Sequence, residues 1–243
     1  LVVVFMGLQA GGYIAMRAAG PRLGLALSGF ASGFVSSTAT VAALGLRARQ
    51  HPELLWACVA GALFSSVTTV LLLFVVAIAV DPAALQILTP SLLTGLVVAL
   101  GVALLSLRRQ PIKAHYGEHR GRAFNLLHAS GFAVILSVMT FLMTAAAHRF
   151  GQSAVFLSAT IGGFFDLHAA AASTLAMFSS VSIPRSALVI AVACAWSTNT
   201  VSKLAAGFGS GGVRYGLRVG AGVLAILAAL WIPLLPALSE LLR

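Results

Sequence analysis

Apolar runs long enough to cross a bilayer follow one another along the whole chain, each closed by proline, glycine or arginine. This punctuation predicts about eight helices, over residues 2–16, 22–46, 53–80, 82–107, 122–147, 152–178, 184–208 and 213–235. Alternation at barrel spacing is absent, so the expected fold is all-α, a polytopic membrane helical bundle. The first run is short enough to be a truncated span, and Leu1 already lies inside it. The chain therefore reads as the C-terminal piece of a longer membrane protein.

Polar residues interrupt this pattern in two places that read alike. GFVSSTAT (33–40) is followed, after Pro52, by FSSVTT (64–69); GFFDLHAA (163–170) is followed, after Pro184, by WSTNTVSK (196–203). An offset of 130 lays Ser36 on Asp166, and an offset of 132 lays Ser65 on Ser197 and Thr68 on Thr200. Two sequence-similar halves are expected: a first transmembrane repeat over 1–107, a basic loop over 108–122 and a second repeat over 123–243. Four spans per half would make the repeats parallel, and re-entrant second and sixth segments would change that. Small residues spaced by four, Ser28, Ser32, Ser36 and Thr40 in one half and Ser158, Gly162, Asp166 and Ala170 in the other, mark both helices as centrally packed.

Composition removes the soluble alternatives. Sixty per cent of residues are hydrophobic and 8% are charged, and the mean hydropathy is +1.02. The net charge of +10 resides between the apolar runs, so it reports loop topology rather than nucleic-acid binding. If all eight runs cross, Arg47, Arg49, Arg108, Arg109, Lys113, Arg120, Arg122, Arg185 and Arg243 share one side. Arg17, Arg22, Arg149, Arg214 and Arg218 take the other. That bias predicts a multi-pass membrane protein with both termini in the cytoplasm. Cys58 and Cys194 both fall in spans, which leaves no disulfide framework.

The candidate chemistry is what remains polar at membrane depth. Asp166 stands near the middle of its run, where a charge costs about 2.5–3.5 kcal/mol on insertion scales. A Lys203 ion pair or an Asn199 hydrogen bond would offset that cost, since Asn199 and Lys203 share a helix face. Ser36, Ser37, Thr38, Ser65, Thr68 and Thr200 offer hydroxyl ligands, and His168 can titrate or bond a neighbouring carbonyl. The bland readings are a carboxylate that only locks helices together, a snorkelling lysine, and hydroxyls bonded to their own helices. His115 and His119 in the basic loop lack further ligands for a metal, GFGSGG (207–212) reads as a turn, and no hydrolase motif occurs, so neither a cofactor nor an enzymatic activity is expected.

Gly20-Pro21-Arg22 leading into GFVSSTAT, FNLLHA from Phe124, GGFFDLHAAAAS from Gly162 and STNTVSK from Ser197 occur in order over nearly the whole chain. With them the chain resembles a bacterial membrane domain of unknown function found C-terminal to MgtC/SapB-type domains. The resemblance implies an MgtC/SapB-type partner domain outside this chain and, by association, a link to cations. That family commonly has a second acidic residue where this chain has His168, which argues against a divalent-cation site of paired carboxylates. The expectation is a transporter-like domain for a cation or coupled to protons, with its polar site at the repeat interface. The alternative is a non-transporting structural or regulatory module. The expected partners are the lipid bilayer and the MgtC/SapB-type domain, with a homo-oligomer also open, and no nucleic acid.

Overall fold

The structure, a computed structural model, describes residues 24–109, 138, 141, 152–176 and 184–236. The expected first and fifth helices, the FNLLHA stretch and the basic loop beyond Arg109 lie outside the described residues. What is described is helical, without strands: α1 (Gly24–Gln50), α2 (Leu55–Val80), α3 (Pro82–Arg108), α4 (Gln152–Phe165), α5 (Leu167–Ala176) and α6 (Arg185–Trp231). Four stretches are long and apolar enough to cross a membrane: α1, residues 52–80, α3 and residues 189–234.

Prolines set the helix starts. Pro52 opens a short 3-10 turn into α2, and Pro82 occupies the first turn of α3, where its missing N–H costs nothing. Asp81 caps α3, its Oδ1 accepting from the N–H groups of Ala83 at 2.9 Å and Ala84 at 3.4 Å.

Two of the four long stretches reverse direction inside the fold. In α6 the break is Gly212, the one described residue with positive φ (φ 71°, ψ −176°), a conformation open to a residue without a Cβ. Trp231 Nε1 donates to Ser197 Oγ at 3.1 Å, although 34 residues of continuous helix would separate them by about 51 Å. α6 is therefore a helical hairpin, with a first arm over 185–211 and a second over 213–231, as the expected seventh and eighth helices require.

In α1 the break is Ser36, whose backbone is extended (φ −163°, ψ 110°). Thr40 Oγ1 donates to Ser32 Oγ at 2.9 Å, although eight residues of straight helix span about 12 Å. Nearer the open end, the place a Gly61 Cβ would occupy is 2.6 Å from the Leu25 carbonyl oxygen and 2.9 Å from a Leu44 methyl. Residues 25 and 44 thus meet the same point of α2, and α1 folds back on itself. The single span expected over 22–46 is instead a hairpin with its tip at Ser36. The helix expected over 152–178 is likewise interrupted, at Asp166, with α4 packed on α6 and α5 packed on both α2 and α6.

Contacts at one end orient the bundle. The Arg109 and Arg218 guanidinium groups each lie 4.9 Å from the centre of the Trp56 ring, so the start of α2, the end of α3 and the reversal of α6 are gathered there. Both ends of the α1 hairpin belong to this end, because Gly45 abuts Ser210 and Gly211. The arginine distribution expected from eight crossings is corrected accordingly. Arg214 and Arg218 share an end with Arg47, Arg49, Arg108 and Arg109, while position 185 lies at the other, so the change from the expected distribution falls after Arg109.

Glycines make the close approaches possible. A Cβ on Gly29 would run into the backbone of Gly61, and one on Gly33 would come within 2.8 Å of the Ser65 Cα. With no water to exclude between helices in lipid, such contact between small residues supplies the packing. The core they bracket includes Val41, Cys58, Val59, Leu63, Val70, Leu167 and Tyr215, with Tyr215 Oη donating to the Val41 carbonyl at 2.9 Å.

Candidate functional site

A helix broken inside a membrane frees carbonyls at the end of one segment and N–H groups at the start of the next, and each must find a partner within the protein. At the α4–α5 break the partners are specific. Asp166 Oδ1 accepts from the N–H groups of His168 at 2.8 Å and Ala169 at 2.9 Å, so the carboxylate caps α5. The carbonyl of Gly163 accepts from Asn199 Nδ2 at 3.4 Å, and that of Phe164 from Ser202 Oγ at 3.2 Å. Thr198 Oγ1 donates to the Thr160 carbonyl at 2.8 Å one turn earlier. Gly163 lets α4 reach the α6 backbone, since a Cβ there would overlap the Ala195 carbonyl and the Thr198 hydroxyl.

The α1 tip is built with weaker groups. Ser36 Oγ accepts from the Ala39 N–H at 3.2 Å, and the Ser36 carbonyl accepts from Thr40 Oγ1 at 2.8 Å. Thr68 Oγ1 donates to the Phe30 carbonyl at 2.8 Å. That bond and the one from Thr198 to Thr160 each span 38 residues, and both pairs are related by a shift of 130. The position matching Thr68 is therefore Thr198 rather than Thr200, and the one matching Ser65 is Ala195 rather than Ser197. Thr200 bonds its own helix, at the Trp196 carbonyl (3.0 Å), as Ser65 does at Ala62 (2.7 Å).

Neither expected partner of the carboxylate is in place. Asn199 Nδ2 goes to Gly163, and the nearest ionisable group to Asp166 is His168, with Nδ1 3.7 Å from Oδ1. Lys203 reaches across to α2, where Nζ donates to Ser66 Oγ at 3.3 Å and Thr69 Oγ1 at 3.2 Å. It is 2% exposed, which excludes snorkelling, and no carboxylate lies within ion-pair distance of it among the described residues. Among the described residues, His168 Nε2 and Asn199 Oδ1 are buried without a hydrogen-bond partner. Of the remaining expected residues, Ser37 is buried and Thr38 half-buried beside the α1 tip.

The candidate site is thus a band at mid-depth: the tip at Ser36, the tip at Asp166, and the crossing of α2 with α6 between them. Sequence reasoning passed over Ser66, Thr69, Thr198 and Ser202. A signal existed for two of them, since Ser66 and Thr69 sit in the same FSSVTT motif and face the lysine three residues apart.

A family model described as a domain of unknown function, DUF4010, matches residues 3–211. The chain belongs to the DUF4010 family. No curated protein and no solved structure matches it. The DUF4010 match takes in both tips and Lys203 and ends where the first arm of α6 reverses.

Proposed function

We propose that this DUF4010 chain is a membrane transporter domain built from two inverted repeats, each a re-entrant helical hairpin followed by two spanning helices. The observation that carries the reading is the pair of breaks at Ser36 and Asp166, each 130 residues from the other and each held to the next long helix by a threonine hydroxyl on a carbonyl 38 residues away. Inversion follows from direction. Along α2, Ser66 and Thr69 meet Lys203, while Leu73, further on, lines one crevice with Trp196, earlier in α6, so the matching helices cross antiparallel. α1–α3 then correspond to α4–α5 and the two arms of α6, the α4–α5 pair forms the second hairpin, and the expected parallel arrangement is replaced by its inverse. The arginine-rich Trp56 end faces the cytoplasm of a bacterial cell.

In this reading the two tips approach the bilayer midplane from opposite sides, and non-helical backbone at that depth belongs beside a solute path. Asp166 fixes the second tip through its cap. A direct role in proton or cation coupling has less support, because one carboxylate oxygen is already taken by two N–H groups. The test is flux in proteoliposomes containing the full chain, loaded in turn with labelled cations and anions. Solute movement above empty liposomes supports transport; a full panel that moves nothing overturns it.

One observation favours a second reading, a non-transporting module that assembles with an MgtC/SapB-type domain. The Gly29–Gly61 and Gly163–Ala195 contacts are backbone to backbone, which suits a rigid, dry scaffold. Water accessibility separates the two: cysteines placed beside the tips react with a small soluble thiol reagent only if an aqueous path reaches them.

A further inference from the structure

The two charged groups at mid-depth are treated differently by the fold. Asp166 is negative at the start of a helix, where backbone N–H groups and the positive end of the helix dipole offset its burial. Lys203 is almost wholly buried and meets only two neutral hydroxyls, with no carboxylate in ion-pair distance among the described residues; Thr69 Oγ1 already gives its own proton to the Ser65 carbonyl at 3.0 Å. A lysine ammonium carries three donors, and the hydroxyl pair accounts for two of them.

Lys203 also lies beside the other tip. Val41 is 3.6 Å from the place a Gly207 Cβ would occupy, and Gly45 abuts Gly211, so the second arm of α1 and the first arm of α6 run side by side in one direction. One turn back, that register sets Ser37 against Lys203. From the α2 side, Gly33 rests on Ser65, and Thr69 is one turn beyond. Lys203 and the start of the second arm of α1, which has only the neutral Ser36 hydroxyl as its cap, are thus both brought to residues 65–69 of α2. At the matching place in the second half, the helix start holds the Asp166 carboxylate, and Leu73 stands where the first arm of α6 has Lys203. One tip carries its own anion; the other carries a cation and no anion.

We propose that Lys203, the Ser66 and Thr69 hydroxyls and the start of the second arm of α1 bind a small, singly charged anion, a carboxylate or a halide. This rests on the transport reading and names its substrate class. One ammonium and a helix N-terminus match one negative charge, and the Asp166 cap shows the same coordination made within the chain. The Ser66 hydroxyl then turns its proton toward the anion along with the third lysine donor, while Thr69 keeps its bond to the Ser65 carbonyl.

The test is thermal unfolding of the purified full chain in detergent, titrated with sodium chloride or sodium formate against sodium gluconate at constant ionic strength. Saturable stabilisation by chloride points to a halide and by formate to a carboxylate, and either supports the proposal. Lys203→Met should weaken the response about tenfold or more, the loss expected when a charged hydrogen bond worth about 1.5–3 kcal/mol is removed. Ser36→Asp should abolish it in a folded protein by placing a carboxylate on the helix start, as at Asp166. Lys203→Arg guards against misfolding, because it keeps the charge and some response. The proposal is overturned if neither salt stabilises the parent, or if Lys203→Met responds as the parent does. Binding without flux would sustain the site and sink transport; cation flux without anion binding would do the reverse.

Discussion

Replacing Asp166 separates a capping carboxylate from one kept for a visiting cation. Two hydrogen bonds, to the N–H groups of His168 and Ala169, are at stake. Side-chain hydrogen bonds between membrane helices average about 0.6 kcal/mol, so the pair contributes about 1 kcal/mol. A carboxylate at a helix start adds about 0.3–1 kcal/mol, and up to about 2 kcal/mol when partly buried. Asp166→Ala should therefore lower stability by about 2 kcal/mol. Asp166→Asn keeps an acceptor for the N–H groups and gives up only the charge, for a loss of about 1 kcal/mol. Asp166→Ser reproduces the cap present at Ser36 and should fall between Asn and Ala. Reversible unfolding of the purified protein in mixed micelles of dodecylmaltoside and dodecyl sulfate measures the order. An alanine variant as stable as the parent would remove the cap from the account. An asparagine variant more stable than the parent would mean that the charge is not offset by the helix, and the carboxylate would again be a candidate for cation contact.

Three further outcomes follow from the packing and the topology. Gly163→Ala should cost about 1–3 kcal/mol, the range for overpacking, because the added methyl meets the Ala195 carbonyl, whereas Gly101→Ala, with nothing within 4 Å, should be neutral or stabilising in the same unfolding assay. In a chain with Cys58 and Cys194 replaced by alanine, an impermeant maleimide should label Arg49→Cys and Arg214→Cys from one side of the membrane and Ala83→Cys from the other; labelling of positions 49 and 214 from opposite sides would restore eight simple crossings. Lys203→Met should raise stability by about 2 kcal/mol, toward the insertion cost of a charge at mid-depth, and a marked loss of stability would show that the hydroxyl bonds already compensate the ammonium.

The sequence marked the helix ends well wherever a residue acts through its own backbone. Pro52, Pro82 with Asp81, Pro184 and the glycines before Val213 each stop or start a helix for local reasons, and the structure keeps them. It also marked Ser36 and Asp166 as unusual, but as ligands within continuous helices. The breaks escaped because one serine or aspartate barely changes the hydropathy of a run such as 24–50, while its power to cap a new helix depends on the chain turning there. A pattern of Gly-Phe, one residue, then Ser or Asp within an apolar run was the available sign. The register of the second motif differs by two residues from the one read in the sequence, because aligning Pro52 with Pro184 and Ser65 with Ser197 carries Thr68 onto Thr200. Packing instead sets a small residue, Ala195, against Gly163, which brings Thr198 under the Thr160 carbonyl.

The two tips share a backbone design and differ in charge, and that difference bears on how a transporter of this shape could work. If both tips held a carboxylate, or both faced a lysine, the halves of the proposed inverted repeat would be equivalent, and exchange of their conformations in the proposed transport cycle would leave the site unchanged in sign. Here the second tip is closed by the Asp166 carboxylate and tied by Asn199 and Ser202, while the first has a single hydroxyl cap and, in the proposed site, Lys203 beside it. The first tip is the less constrained of the two, having fewer bonds to lose when it parts from α2 and α6. An anion bridging Lys203 and the start of the second arm of α1 would draw that hairpin against the bundle, and its departure would release it. Binding and gating would then be one event at mid-depth, at the tip of the hairpin whose open end lies beside Arg109, Arg218 and Trp56.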